Sequence, residues 1–285
     1  MDLLDRDLSK VQLSVTHKRL EELHPADIAD ILEQLDPAQR ANVFKTLDEN
    51  QASDAVAEME DEIQAEFLED LDEHKASKVL GNMDPDDAAE IVRDLSYDKA
   101  EKLLRLMGVK DAAEIRRLLG YKDGTAGGMM TTQYVAVREN DTVNNTIEIL
   151  RKLDEDHPPV HYIYVLDKSN CLVGAVSLKA LALNNGKTQM KNIMIHDDLI
   201  YVSPDEPEEE VSEDIFKYDL TAMPVVDEHG VLLGIVTTED AWDAIEDDVV
   251  EKKSFTWVKR IGLILLGLIL LALYTFVIVS IVRGF

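Results

Sequence analysis

Residues 222–243 read AMPVVDEHGVLLGIVTTEDAWD, and this stretch decides the fold. It opens on an apolar run, Met223-Pro224-Val225-Val226, that stops at Asp227-Glu228-His229-Gly230. A second apolar run over 231–236 ends in Thr237-Thr238-Glu239-Asp240, where a helical pattern begins. Two short runs rich in β-branched residues around a glycine-containing turn predict a β-hairpin. A helix that starts directly after the second strand leaves its first N–H groups without partners, with Thr237 and Asp240 beside them.

Working outward, the hairpin is preceded by a strand at 200–202 and a helix over 207–218. The same order occurs once before: a strand at 134–137, a helix over 142–153, then strands at 163–167 and 172–177 around Lys168-Ser169-Asn170. Two β-α-β-β-α units in tandem resemble a pair of CBS domains, the first over 129–190 and the second over 191–248. That resemblance implies a compact regulatory module, a homodimer of such pairs, and clefts able to hold ATP or AMP. In CBS nucleotide sites a hydroxyl residue and an aspartate, spaced as Thr237 and Asp240 are, contact phosphate and ribose. The first half departs from the pattern, reading Ser177-Leu178-Lys179-Ala180, so at most one conventional nucleotide site is expected. An aspartate in a first helical turn also stabilises a helix with no ligand at all.

Upstream, KDGTAGGMMTT supplies a glycine-rich junction, placed at 121–128. Its glycines precede a strand, whereas a phosphate-binding loop needs the strand first and a Lys-Ser/Thr after it. Before the junction lies a repeat. HPADIADILEQLDPAQRANVFKTL, from His24, recurs sixty positions later as DPDDAAEIVRDLSYDKAEKLLRLM, and Met59, Phe67-Leu68 and Leu71 fall twenty-four residues after Leu35, Val43-Phe44 and Leu47. A fixed period of this size means stacked supersecondary units. Ile28, Ile31, Leu32 and Leu35 share one helix face, as do Ala88, Ile91, Val92 and Leu95. Asp36-Pro37 and Asp84-Pro85 place a capping carboxylate before a proline suited to the first helical turn, and His24-Pro25 is a weaker version. An all-α superhelix over 20–120 is expected, after an N-terminal extension at 1–19.

The net charge is −28, from 57 acidic residues against 29 basic ones. Nucleic acid is excluded as a partner, because its binding depends on Lys and Arg neutralising phosphates. Self-repulsion on this scale makes stability depend on salt and divalent cations. Cys171 is the only cysteine, which rules out an intrachain disulfide and fits a reducing, cytosolic compartment. MDLLDRDLSK lacks the basic start and apolar core of a signal peptide. The seven histidines are scattered, with no zinc spacing and no nucleophile–base motif, so a zinc site and an enzyme are not expected.

Carboxylates are dense at two places. Asp86, Glu90 and Asp94 lie four apart on one helix face with Asp87 beside them, a spacing that repels unless a cation or solvent offsets it. Asp240, Asp243 and Asp247 share another face, continued by Asp248 and Glu251, while Glu208-Glu209-Glu210 open the preceding helix and Asp219 ends it. Carboxylates without His or Cys suit a hard cation, Mg²⁺ or Ca²⁺, and no EF-hand loop is present.

This order of parts resembles the MgtE family of magnesium channels and transporters over residues 20–250, carried by HPADIADILEQL, GTAGGMMT, YDLTAMPVVDEHG and GIVTTED. The resemblance implies a cytosolic Mg²⁺ sensor whose ions lock a closed state. It puts metal ligands at Asp219, Asp240, Asp243, Asp248 and Glu251, with Glu209 a weaker match, and with Asp87, Glu90 and Asp94 on the helical domain. Lys252 stands where a further acidic residue is expected. Residues 261–282 form a run of 22 without a charged side chain, enough to span a bilayer once. The basic linker at 249–260, with Lys252, Lys253, Lys259 and Arg260, puts the preceding domains in the cytosol of a single-pass cell-membrane protein.

The expected architecture is therefore multidomain α and α+β: an all-α superhelical domain, a tandem CBS pair and a single C-terminal transmembrane helix. The expected function is Mg²⁺-sensing regulation of magnesium transport, with the pore supplied by a partner subunit or missing by truncation, because one apolar helix cannot conduct alone. The alternatives are a membrane-tethered adenine-nucleotide sensor and self-assembly of the single helix into a small pore.

Overall fold

The computed structural model describes Leu20 and residues 23–153, 157–242 and 244–245. The N-terminal extension at 1–19, the basic linker at 249–260 and the span expected at 261–282 lie outside these residues. Among the described residues no helix is long and apolar enough to cross a membrane.

The repeat folds as short helices: α1 Pro25–Glu33, α2 Pro37–Phe44, α3 Glu49–Ala57, α4 Asp61–Asp70, α5 Glu73–Asn82, α6 Pro85–Asp94, α7 Tyr97–Leu106 and α8 Val109–Leu118. Their N-cap residues are His24, Asp36, Asp48, Glu60, Asp72, Asp84, Ser96 and Gly108, spaced twelve apart, so the sequence period of twenty-four covers two helices. At His24, Asp36, Asp48, Asp72 and Ser96 the side chain accepts first-turn amides. Asp36 Oδ1 accepts from Ala38 N at 3.0 Å and Gln39 N at 2.9 Å, and Asp48 Oδ1 accepts from Gln51 N at 2.9 Å. Helices this short are marginal alone and are held by packing. The odd-numbered helices stack α1 on α3 on α5 on α7, and α4 on α6 on α8 forms the other layer. The repeat extends to polar detail. Arg40 Nε donates to Leu32 O at 2.9 Å, and twenty-four residues on Gln64 Nε2 donates to Val56 O at 2.7 Å, each adding a side-chain donor to a last-turn carbonyl.

The glycine-rich junction is not a free linker. Ala126–Met129 forms a helical turn, α9, and the chain beside it is tied to the second CBS half by Ala126 N→Glu206 O at 2.8 Å and Gly127 N→Pro204 O at 2.9 Å. The first half follows as β1 Val135–Arg138, α10 Val143–Leu150, β2 Tyr162–Leu166, β3 Leu172–Ser177 and α11 Leu178–Leu183. Its sheet has the order β1-β2-β3, β1 parallel and β3 antiparallel to β2. The second half has α12 Glu208–Lys217 and the hairpin β4 Ala222–Val226 with β5 Leu232–Thr237. The strand expected at 200–202 reduces to one parallel bridge, Val202 to Val225, because only that residue reaches β4.

The halves exchange their leading segments. Thr131, in the first half by sequence, pairs with Ile235 of β5, and Ile195, in the second, pairs with Ala175 of β3. Glycines permit both approaches: a Cβ on Gly234 would lie 2.6 Å from Thr131 O, and one on Gly174 would lie 2.9 Å from Ile195 O. The two hairpin turns also bond each other, Leu172 N→Gly230 O at 2.9 Å and Leu232 N→Asn170 O at 3.3 Å. Between the sheets Tyr164, Leu166, Ala175, Ala222, Val226, Leu232 and Ile235 form a shared apolar layer. The largest core runs from the helical domain through Met130 into Val202, Val211, Ile215, Met223, Val225 and Val236. The helical domain is thus packed on the second half, and that seam brings α6 to the end of β5.

Candidate functional site

At the seam the start of α6, Asp84-Pro85-Asp86-Asp87, meets the segment 131–133 and the helical turn that begins at 238. Asp84 was expected to cap α6, but it makes no side-chain cap bond. Its Oδ1 instead accepts from Gln133 Nε2 at 2.6 Å. Burial raises its carboxyl above the usual range, the Gln133 bond and His157 oppose this, and Glu239 adds to it. Asp86 is pushed up to about 6, first by burial and then by Asp84 and Glu114, with its own backbone amide and the Thr131 hydroxyl opposing. Its Oδ1 has neither solvent contact nor a hydrogen-bond partner. Asp87 is pushed up to about 8, by burial first and then by Asp86, Asp84, Asp240 and Glu90 in that order. Nearby, the Thr132 hydroxyl donates to Glu114 Oε1 at 2.5 Å.

Cationic side chains hold the seam from outside the cluster. Arg93 donates to Gly128 O at 3.2 Å and Leu118 O at 3.3 Å, and lies 3.8 Å from Asp123. Arg117 donates to Leu233 O at 3.1 Å, joining α8 to β5. Beside the cluster a cleft of about 350 Å³ is lined by Met83, Pro85, Lys110, Glu114, Gln133 and His157 among others.

Of the residues expected to bind metal, Asp87 and Asp240 come within electrostatic reach of each other, with Glu90 on the exposed rim. Asp94 lies at the far end of α6, exposed, its carboxyl raised by partial burial and then by Asp61 and Asp123, against Arg93. Asp219 is exposed and ends α12 with φ 52°, the left-handed conformation that closes many helices. Glu209 is exposed in the first turn of α12, where an acidic side chain favours the helix dipole. Asp243, Asp248 and Glu251 lie outside the described residues. Among the described residues no three His, Cys, Asp or Glu side chains form a ready-made metal-holding group. Sequence reading put Asp86 on the acidic face that a cation could offset but not among the metal ligands, and read Asp84 only as a helix cap. Glu114, Glu239, Thr131 and Gln133 carry no such signal, since only packing brings them here.

Thr237 and Asp240 form a reciprocal cap. Thr237 N and Oγ1 donate to Asp240 Oδ2 at 2.6 and 3.0 Å, and Asp240 N donates to Thr237 Oγ1 at 3.3 Å. This is a capping box with Asp in the place of Glu. In the first half Ser177 Oγ accepts from Ala180 N at 3.1 Å, without a returning carboxylate.

The same division appears in comparison with known proteins. Residues 23–124 match the MgtE intracellular N domain, and residues 126–183 and 190–241 each match the CBS domain. A magnesium transporter MgtE of Thermus thermophilus is 41% identical over 131 residues, 46% of this chain and 29% of that protein. One of Enterococcus faecalis is 38% identical over 128 residues, 45% of this chain and 28% of that protein. These matches thus span under a third of the length of the curated relatives. Among solved structures, the soluble part of a magnesium transporter superimposes with a TM-score of 0.76 at 31% identity, covering 86% of this chain and 96% of that one. The cytosolic domain of the Mg²⁺ channel MgtE in complex with ATP gives 0.78 at 33% identity, covering 84% and 98%. The helical N-domain match, the two CBS matches and these superpositions agree, and the protein belongs to the MgtE family.

Proposed function

We propose that this chain is a Mg²⁺-sensing regulatory unit of magnesium transport, in which the ion binds at the seam and holds the helical domain against the second CBS half. The observation that carries the reading is the Asp86 carboxylate, whose Oδ1 is buried and unpartnered beside Asp84 and Glu114, with Asp87, the next residue, within electrostatic reach of Asp240. A buried carboxylate oxygen without a partner is costly, and a cation is the natural remedy. The donor set is hard oxygen throughout, which suits Mg²⁺. Mg²⁺ dehydrates reluctantly and is commonly held by one or two carboxylates with several waters retained. In this reading Asp86, Asp87 and Asp240 hold the hydrated ion, Asp243, Asp248 and Glu251 extend the site beyond the described residues, and Glu90 contributes field from the rim. Asp94, Asp219 and Glu209 are weaker ligand proposals, for sites away from this cluster.

The relatives are named as magnesium transporters, and the reading extends that role to this chain's regulatory part. Residues 261–282 would anchor it in the membrane with the folded domains on the cytosolic side, working as a homodimer through the CBS pairs. The pore would come from a partner or from membrane helices beyond this sequence. A second reading, an adenine-nucleotide sensor, is favoured by Thr237 and Asp240 at the head of a helix and by a relative solved with ATP. A nucleotide would have to displace bonds that this pair now makes to each other.

Thermal unfolding of the full chain against MgCl2, with KCl at matched ionic strength and ATP or AMP as parallels, separates the two. A ligand that binds only the folded state raises Tm by mass action. A rise with Mg²⁺ beyond the KCl control is expected. A rise with nucleotide alone would transfer the function to the second reading, and no rise with either would remove both.

A further inference from the structure

Three consecutive residues after the junction, Thr131-Thr132-Gln133, each face a carboxylate of the helical domain. The Thr131 hydroxyl lies close enough to Asp86 to favour its ionised form. The Thr132 hydroxyl donates to Glu114 of α8 at 2.5 Å, and the Gln133 amide donates to Asp84 at 2.6 Å. The segment is itself fixed to β5, since Thr131 and Ile235 exchange two backbone bonds at 2.9 and 3.0 Å. Two residues further along β5 stands Thr237, capped with Asp240. A short, rigid path therefore sets the positions of the α6 and α8 carboxylates against the acidic end of β5.

Asp84 shows that this arrangement overrides local preference. The other aspartate N-caps of the repeat, Asp36, Asp48 and Asp72, all accept amides of their own helices. Asp84 alone among them turns away, toward Gln133.

We propose that Thr132 and Gln133 are positioning residues for the ion at the seam: they touch no ion themselves, but orient the Glu114 and Asp84 carboxylates that shape its site and lock them in register with Asp240. This rests on the Mg²⁺ reading given above, adds the Asp84 and Glu114 carboxylates that border Asp86 to its ligands, and assigns it an outer layer of neutral donors. Such donors behind metal-binding carboxylates typically contribute 10–100-fold in metal affinity, because they fix the carboxylate orientation before the ion arrives.

The test is a MgCl2 titration of Tm at constant ionic strength on the full chain, comparing wild type with Thr132→Val, Gln133→Met and Thr132→Ser. Val and Met keep the volume and remove the donor, while Ser keeps the hydroxyl. The midpoint of the Mg²⁺-dependent rise should move about tenfold to higher concentration in the Val and Met variants and stay near wild type in the Ser variant. Variants whose Tm falls equally at every Mg²⁺ concentration, with an unmoved midpoint, would make the two residues structural only and overturn the proposal. A Thr132→Ser midpoint as weak as that of Thr132→Val would do the same, by assigning the effect to packing. A wild type indifferent to Mg²⁺ would overturn the Mg²⁺ reading and this one with it, an outcome distinct from a responsive wild type with unmoved variants.

Discussion

Asp87 holds the largest electrostatic conflict in the described structure: burial and four neighbouring carboxylates together push its carboxyl up to about 8. Replacing it with asparagine keeps the shape and removes the charge. Asp87→Asn should therefore stabilise the Mg²⁺-free protein and abolish most of the Mg²⁺-dependent gain. In a domain of this size a gain of about 1 kcal/mol raises Tm by roughly 2–4 °C, which sets the scale for differential scanning calorimetry without divalent ions. A lower Tm in the Mg²⁺-free variant would show that the carboxylate is already compensated within the folded chain. Arg93 has the opposite role, since its guanidinium bonds to the carbonyls of Gly128 and Leu118 across the junction.

At the scale of elements, the twelve-residue spacing of N-caps gives each short helix the same start signal, and the signal is used unequally. Asp36→Ala removes two amide bonds and should cost about 1 kcal/mol in chemical denaturation. Asp84→Ala removes no cap bond and one raised carboxyl, so without Mg²⁺ it should cost measurably less than Asp36→Ala. The two CBS halves depend on close backbone contact, which glycine alone permits. In Gly234→Ala the new Cβ would stand 2.6 Å from Thr131 O, a backbone atom that cannot move without breaking its pairing with Ile235. A loss of about 1–3 kcal/mol is expected, as for overpacked interiors, together with faster hydrogen exchange at Thr131 and Ile235.

For the molecule as a whole, a net charge of −28 and a seam lined with carboxylates make protons and cations alternative stabilisers. Burial and neighbouring carboxylates push Asp86 up to about 6 and Asp87 up to about 8 in the folded chain, from an ordinary value of 3.8. Between about pH 4 and pH 8 the folded chain therefore binds more protons than the unfolded chain at these sites, so their contribution to stability falls as pH rises. Below about pH 4 both states are protonated and the contribution is level. In divalent-free buffer, Tm should drop across this window, and Asp87→Asn should flatten the upper part of the drop. Mg²⁺ should restore stability most at the alkaline end, where it competes with the fewest protons. A Tm that rises with pH through this window would contradict the raised carboxyls.

Much of this architecture follows from local patterning. The helical repeat, the hairpin around Asp227–Gly230 and the order of the CBS halves are carried by periodicity, turn residues and caps, which act over a few residues and can be read along the chain. Asp87 and Asp240 were legible as acidic, and the sequence by itself determined that the candidate site offers hard oxygen donors. Tertiary structure decided where those oxygens meet. Thr131 crosses to β5 of the other half, Gln133 reaches back 49 residues to Asp84, and the single strand expected at 200–202 shrinks to a bridge. It also decided which carboxylates are strained, because desolvation of Asp86 depends on the core that continues from the helical domain into the second half. Burial is a property of surfaces brought together from distant parts of the chain, and no pattern within one segment encodes it.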